Sequence, residues 1–585
     1  MFRSSSWVAL YTLLIGALGV LISLQLGALV GTGRAPALNP LIGLMEVVFG
    51  RVKGTWLTWL LLILTGIGCL VFYALLGETP SDKSYKRKNE LMNAHALEAT
   101  AKKKNLSTRS RLAGLTVGTI IGLKSKVIQN WETVGIFFMG PRMGKTSGFI
   151  VRHALEAPGA FLFTSNKYDG VAEIAAARGK FGKVWIFDTE GLLPYTRKQK
   201  QPLMRWDFIG SINSRSRAEA YSKILNDSFK LSEAGDKVSS DAFFEPLGKK
   251  IVLALLMTAH RGSMSVLQMM QMINRNDFDR LILILEAEYP LLSEEVRRVT
   301  DQPGRTKENI LAVVNNILTA LSNDEVIGWL DPIGAEPTEI FDPRKFVKSR
   351  DTLIILVKDG GSSAATLSSL LVEAVFDAAV DEANPRLDPP LVCDLDEINN
   401  TVHLKTLPLR YTYFGSRGII VNAYLQTYSS ARRLWGEDGF KTIKSAATLK
   451  VVGGGIDEAE LSELAKMLGT YEKKTTSVSS SRSAGASGRD SISTSRRKEE
   501  IVSASELGNL PPFTSVVRVS GVGKGLVDIQ PWFKDEQLQK KVSTKEVEAT
   551  AQYLGYSLGY FDGDTKPSDE QEIQQQKKKE RFSLV

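Results

Sequence analysis

The sequence predicts an α/β fold, a parallel sheet organised around a phosphate-binding loop, and three stretches predict it. Residues 134–139 (VGIFFM) are a short apolar, partly β-branched and aromatic run; Gly140-Pro141-Arg142-Met143-Gly144-Lys145-Thr146 follows at once, then a helix-compatible segment to residue 156. Residues 160–164 (AFLFT) and 183–188 (KVWIFD) are further strand candidates around a helical stretch at 171–178, the β-α-β-α-β rhythm of a sheet covered on both faces. Far downstream, residues 391–397 (LVCDLDE) are a hydrophobic strand ending in two acids.

Strand, glycine-bounded turn, Lys-Thr and helix is the order that holds a nucleoside triphosphate. Glycines let the backbone curl so that successive N–H groups face the phosphates, and the helix N-terminus adds partial positive charge. Lys145 would reach the β- and γ-phosphates and the Thr146 hydroxyl would ligate Mg²⁺, with Gly140, Pro141, Arg142, Met143, Gly144 and Ser147 completing the cradle. One departure stands out: three residues separate the glycines, where the usual motif has four. The position between a strand and a helix argues against a chance Gly-Lys-Thr in a loop.

At 585 residues the chain is too long for one core, and about three or four structural units are expected. The balance of 73 basic against 64 acidic residues leaves +9, compatible with nucleic acid or an anionic membrane surface and diagnostic of neither. Cys69 lies in an apolar run and Cys393 in a predicted strand, and no Cys/His spacing resembles a zinc site. His95, His153, His260 and His403 form no H-E-x-x-H, which excludes the usual metalloprotease pattern. The globular part reads as cytosolic.

No charge occurs between Arg3 and Arg34, or between Lys53 and Glu78. Each gap exceeds the roughly 20 residues an apolar helix needs to span a bilayer. Residues 7–30 and 56–76 are the predicted spans, with Trp7, Trp56, Trp59 and Tyr73 suited to interfacial positions. The first run is too long for a typical signal peptide, and a second span follows. Lys83, Lys86, Arg87, Lys88, Lys102, Lys103 and Lys104 follow the second span, against Arg34, Arg51 and Lys53 in the loop between them. The denser cluster stays inside, which places both termini in the cytoplasm and about 25 residues outside. Beside a membrane those lysines would also attract anionic headgroups.

The reading by region is a two-helix anchor at 1–80, the first part of the nucleotide-binding domain at 81–212, an inserted all-α domain at 213–331, the second part of the nucleotide-binding domain at 332–564 and a disordered basic tail at 565–585. Residues 242–322 carry helical periodicity with little strand signal, and Met264, Met269, Met270 and Met272 suit a packed helical core better than a binding surface. The sheet resumes at 352–357, followed by a helix at 364–381. Asp396 would hold Mg²⁺ through water, and Glu397 would orient or deprotonate the attacking water. Asp394 is an acid one pleat earlier, either beyond the buried part of the strand or against the phosphate loop. Residues 418–425 form the next strand, ending in Gln426, either a γ-phosphate sensor or a surface amide. Arg417 before it either reaches a neighbouring subunit's γ-phosphate or makes a salt bridge. Residues 448–452 are a last strand; 475–497 are Ser/Gly/Arg-rich and read as a mobile segment; 512–532 read as a hairpin that closes the sheet.

Taken together these residues resemble the type IV coupling proteins, the membrane-anchored DNA-pumping ATPases of conjugation and type IV secretion, and look closest to the actinobacterial or other Gram-positive members. The resemblance is carried by the paired N-terminal spans, GPRMGKT at 140–146, TSNKYD at 164–169, KVWIFD at 183–188, DAFFEPLGKKIVLALL at 241–256, LDEINN at 395–400, SRGIIVNAYLQTYSS at 416–430 and ELGNLPPFTSVVRV at 506–519. It implies a RecA-like motor domain in a six-membered ring, with an all-α domain that recognises cargo. It implies ATP and Mg²⁺ as cofactors, and Lys145, Glu397, Arg417 and Gln426 as the catalytic set, Arg417 as the finger completing a neighbour's site and Gln426 as sensor. DNA, a relaxase or other cargo protein, secretion-channel components and membrane lipids are the implied partners, at the cytoplasmic membrane.

Two rival readings differ in testable ways. A motor that moves proteins would lack DNA-stimulated hydrolysis. A nucleotide-binding scaffold, suggested by the short phosphate loop, would tolerate Glu397→Gln.

Overall fold

The computed structural model of the chain describes residues 14–26, 39–49, 55–76, 94–102, 105–123, 125–199, 202–231, 244–333, 339–358, 362–481 and 489–558. Its contacts divide the chain into two units, Met1–Lys88 and Asn89–Val585.

In the N-terminal unit, helices Leu14–Leu26 and Trp56–Leu76 occupy the two charge-free stretches. A Cβ on Gly19 would stand 2.4 Å from Thr65 Cγ2, so the missing side chain lets the second helix approach. Ser23 Oγ donates to Gly19 O and lies 3.4 Å from Thr65 Oγ1. Leu18, Ile22, Trp56, Trp59 and Ile63 are exposed on the outer faces. Between them a short helix, Pro40–Val48, is capped by Asn39 Oδ1, which accepts from Leu41 N at 3.0 Å. Residues 7–13 and 27–30 of the first predicted span, the basic residues at 83–88 and 103–104, and the tail at 565–585 lie outside the described residues. Among the described residues one helix is long and apolar enough to cross a membrane, Ser363–Glu382, and it is 83% buried as a core helix of the second unit.

Among the described residues the second unit has fifteen strands: β1 (Gly114–Ile120), β2 (Lys126–Asn130), β3 (Gly135–Phe138), β4 (Phe161–Ser165), β5 (Val184–Phe187), β6 (Arg205–Trp206), β7 (Ile340–Phe341), β8 (Thr352–Leu356), β9 (Leu391–Leu395), β10 (Ile419–Leu425), β11 (Leu449–Gly453), β12 (Thr470–Ser481), β13 (Arg489–Glu500), β14 (Thr514–Val519) and β15 (Gly523–Asp528). Eleven form one sheet in the order β2-β1-β15-β14-β11-β3-β10-β9-β4-β8-β5. The run from β11 to β5 is parallel, and the four strands beyond β11 are antiparallel. β3, β4, β8, β9 and β10 are buried along their whole length, which is why they read in sequence as continuous apolar runs rather than alternating ones. Phe137 on β3 stacks on Tyr424 of β10 at 4.5 Å and meets Phe149 edge-on at 5.1 Å, joining the central strands to the helix that follows β3.

β6 and β7 pair in parallel, Arg205↔Ile340 and Trp206↔Phe341. Between them the described elements are helical, from Arg215–Leu231 through Asp324–Leu330, so this two-residue ladder is the neck of the insertion. Met264, Met269, Met270 and Met272 are all buried there, as core residues.

Two features differ from the sequence expectations. Residues 514–528 do form a hairpin, but it does not close the sheet: β15 pairs onward with β1, and β1 with β2. The β-branched run at 116–121 (TVGTII) is the signal that marks β1. The stretch at 475–497 belongs to a two-stranded ribbon, β12 with β13, paired from Thr470↔Glu500 to Ser481↔Arg489, with residues 482–488 outside the described residues. Its Ser/Gly/Arg content hid the strand formers Thr475, Thr476, Val478, Ile492 and Thr494.

Candidate active site

β3 runs into the phosphate loop at the carboxyl edge of the sheet, where parallel sheets place ligand sites. Gly140 N donates to Gly454 O at 3.0 Å, and a Cβ on Gly140 would stand 1.9 Å from Gly455 O: the loop is pressed against the turn after β11, and glycine alone fits. Arg142 (φ 61°) and Gly144 (φ 89°) are left-handed, which curls the loop back to the helix. A Cβ on Gly144 would also strike the Phe513 ring at 2.4 Å. The helix opens with a wide π-turn, Lys145–Ile150, before its α-helical part, Val151–Glu156. A π-turn carries one residue more than an α-turn. The loop that is one residue short thus leads into a first turn that is one residue wider than an α-turn.

Two strands away, β9 delivers the acids. Asp396 follows its last residue and is held by Asp396 N donating to Thr164 O at 3.0 Å and by Thr401 Oγ1 donating to Asp396 O at 2.9 Å. Glu397 has φ 45°, left-handed for a non-glycine residue, and starts the short helix Ile398–Thr401. Such a conformation costs on the order of 1–3 kcal/mol and turns the carboxylate sharply off the strand.

The side chains converge. Lys145 Nζ lies 2.6 Å from Asp396 Oδ1 and 3.7 Å from Glu397 Oε1, with all three largely buried. Gln426, just past β10, donates through Nε2 to Glu397 Oε1. β10 lies between β3 and β9, so the residue after its end is carried to the gap between lysine and acids. Asn166, which the sequence reading did not single out, donates through Nδ2 to Glu397 Oε2 at 2.6 Å. Its signal was a polar residue just past β4, the other neighbour of β9.

Thr146 and Ser147 are half-buried beside Lys145 on the opening turn; Pro141 and Arg142 are exposed, and Met143 is buried. Arg417 stands apart. It is exposed at the amino end of β10, opposite Gln426, and donates through Nη1 to Ala383 O at 3.1 Å, a backbone contact rather than a salt bridge. Asp394 lies in the buried part of β9, 0% exposed, in contact with His153 of the helix after the phosphate loop: it takes neither of the two places left open for it, being inside the buried strand and paired with the helix rather than the loop. Asp188 is also buried, and it accepts from Leu192 N and Leu193 N at 2.7 and 2.9 Å; burial pushes its carboxyl up, and its role is to hold that turn. Burial pushes the Cys393 thiol well up, so it is no nucleophile.

The residues fit Mg²⁺ with a nucleotide. Asp396 Oδ1 is buried and holds the Lys145 ammonium at 2.6 Å, a cation that a metal ion would replace there. Among the described residues no cluster of three or more His, Cys, Asp or Glu could hold a metal alone. One carboxylate and a hydroxyl suffice for Mg²⁺, which keeps waters and takes its other ligands from phosphates.

Residues 390–512 match the family described as the TraM recognition site of TraD and TraG. The fold is that of solved conjugative coupling proteins. The chain is similar to the bacterial conjugative coupling protein TrwBdeltaN70 in its unbound monoclinic form, with TM-score 0.53 and 18% identity over 74% of this chain and 91% of that one. It is similar to the plasmid coupling protein TrwB in complex with ADP and Mg²⁺, with TM-score 0.52 and 17% identity over 75% and 91%, and to TrwB with the GTP analogue GDPNP, with TM-score 0.52 and 16% identity over 74% and 92%. No curated protein matches by sequence. Motifs, matched segment and fold all support the resemblance to the type IV coupling proteins.

Proposed function

We propose that this protein is a membrane-anchored coupling ATPase that recruits DNA, or a protein–DNA complex, and drives it towards a type IV secretion channel. One observation carries the reading: Lys145 after β3, Asp396–Glu397 after β9 and Gln426 after β10 meet within one buried cluster. That is the constellation phosphoryl transfer to water needs.

Lys145 and the backbone N–H groups of residues 142–147 would bind the triphosphate, and Asp396 with Thr146 would hold Mg²⁺, which neutralises charge developing on the phosphates. Glu397, its oxygens held by Asn166 and Gln426, would orient the attacking water and take its proton. Gln426, in contact with Glu397, would report the state of the γ-phosphate. Arg417 would complete the site of a neighbouring subunit in a ring of six. Residues 213–331 would select cargo, and contact with DNA would run through its phosphates and weaken with salt. Trp56–Leu76 and the helix containing Leu14–Leu26 would cross the cytoplasmic membrane with both termini inside.

The test is ATP hydrolysis by the full-length protein in detergent, with and without DNA, alongside DNA transfer between cells carrying wild type or Lys145→Ala. DNA-stimulated hydrolysis and loss of transfer support the reading. Hydrolysis stimulated only by a protein cargo would make it a protein-secretion motor, and transfer that survives Glu397→Gln would make it a scaffold.

A further inference from the structure

Behind the lysine–carboxylate cluster lies a second polar layer that the hydrolysis scheme leaves unused. Asp394, His153 and Asn422 are each 0% exposed. His153 Nδ1 lies 2.9 Å from Asp394 Oδ2, and Asn422 Nδ2 donates to Asp394 Oδ1 at 2.8 Å. Gln129 Nε2 then donates to Asn422 Oδ1 at 2.6 Å and to Thr133 O at 2.8 Å. The His153 ring sits between Phe137 and Phe149, and its Nε2 is buried with no partner. With Nδ1–H donating to Asp394, Nε2 carries a lone pair rather than an orphaned N–H, the cheaper of the two to bury.

The layer repeats the contact of the catalytic one. Asp394 lies in β9 and Asp396 just past its end, two residues on. Lys145 and His153 are eight apart, two turns along the helix that follows the phosphate loop. Asn422 of β10 and Gln426, just past its end, lie four apart, and Asn422 is the register partner of Asp394. The helix is therefore tied to the same strand twice, by Lys145 to Asp396 and by His153 to Asp394. The first tie must give way when phosphate and metal arrive. The second is sealed in the core and would persist.

We infer that His153 is a positioning residue: its Nδ1–H bond to Asp394 fixes how far the phosphate-loop helix sits along β9, and so sets Lys145 and Thr146 against Asp396 and Glu397. The inference rests on the ATPase reading above. A small slip along this contact would leave the phosphates bound and misplace them against Glu397. The signature is thus a loss in kcat rather than in KM, since displacements near 1 Å cost about a hundredfold in rate.

Two polar substitutions separate positioning from bulk stability. His153→Asn keeps an amide N–H near the place of Nδ1, whereas His153→Gln carries it to the far end of the ring's space. In full-length protein with melting midpoints recorded for each, His153→Asn is expected to keep most of kcat, and His153→Gln to lose tenfold or more with KM for ATP unchanged within about threefold. Equal kcat in the two variants, or KM moving in step with kcat, would overturn the inference, whatever the midpoints do. Wild type that hydrolyses no ATP would instead remove the reading on which it rests.

Discussion

Lys145 Nζ stands 2.6 Å from Asp396 Oδ1, an ion pair that joins the phosphate loop to the acidic strand and that MgATP would exchange for two stronger partnerships. Both groups are largely out of water, so removing one leaves the other poorly compensated. Lys145→Ala is expected to lower kcat/KM for ATP at least about a hundredfold, roughly 3 kcal/mol of transition-state stabilisation. Glu397→Gln keeps the shape and the neighbours and removes the base. It should bind nucleotide with near-normal affinity and lose about 10²–10⁴ in kcat. Fluorescent-nucleotide titration beside steady-state hydrolysis separates the two outcomes.

Asn166 tests whether Glu397 must be held from both sides. Its amide is the partner of Oε2 at 2.6 Å, while Gln426 holds Oε1. Asn166→Ala should cut kcat by about tenfold with little change in KM, because it loosens the orientation of the base and touches no phosphate contact. Steady-state kinetics decides it; a shift in KM alone would make Asn166 part of the binding surface.

The parallel half of the sheet was legible because its central strands β3, β4, β8, β9 and β10 are buried along their whole length and read as continuous apolar runs. β3, β9 and β10 announced themselves and carried Lys145, Asp396, Glu397 and Gln426 to one edge. What sequence could not supply is strand order. Asn166 follows a strand as plainly as Gln426 does, but only the pairing of β4 with β9 puts it on Glu397. The ambiguity of Asp394 has the same origin, since its partner His153 lies on a helix whose facing strand is unknown until the order is known. β12 and β13 were hidden because Ser, Gly and Arg set the tone of a stretch whose Thr, Val and Ile form strands.

His403 gives a pH dependence independent of catalysis. Burial, with Arg433 and Lys405 nearby, pushes its imidazole down to about 4, and its Nδ1 is buried without a partner. The unfolded chain takes up a proton near pH 6.5 and the folded one resists until about 4, so stability falls as pH drops through that window. At pH 5 the loss is about 2 kcal/mol relative to pH 7. His403→Gln should flatten the dependence. Melting midpoints of the two proteins at pH 7 and pH 5 check this, and parallel curves would refute it.

Arg417 and Gln426 sit at opposite ends of β10, seven residues long, so Arg417 lies about 25–30 Å from its own Lys145–Glu397 cluster. If it contributes to hydrolysis, it must do so across a subunit boundary, in a head-to-tail ring where each site joins one chain's Glu397 to the next chain's Arg417. Arg417→Ala and Glu397→Gln are each expected to be inactive alone, with nucleotide binding kept. Co-expressed in equal amounts, they should regain about a quarter of wild-type hydrolysis, because an Arg417→Ala chain that retains Glu397 meets the Arg417 of a Glu397→Gln neighbour at about one interface in four. An arginine acting within its own chain would give no recovery in the mixture, and one with no catalytic part would leave Arg417→Ala fully active alone.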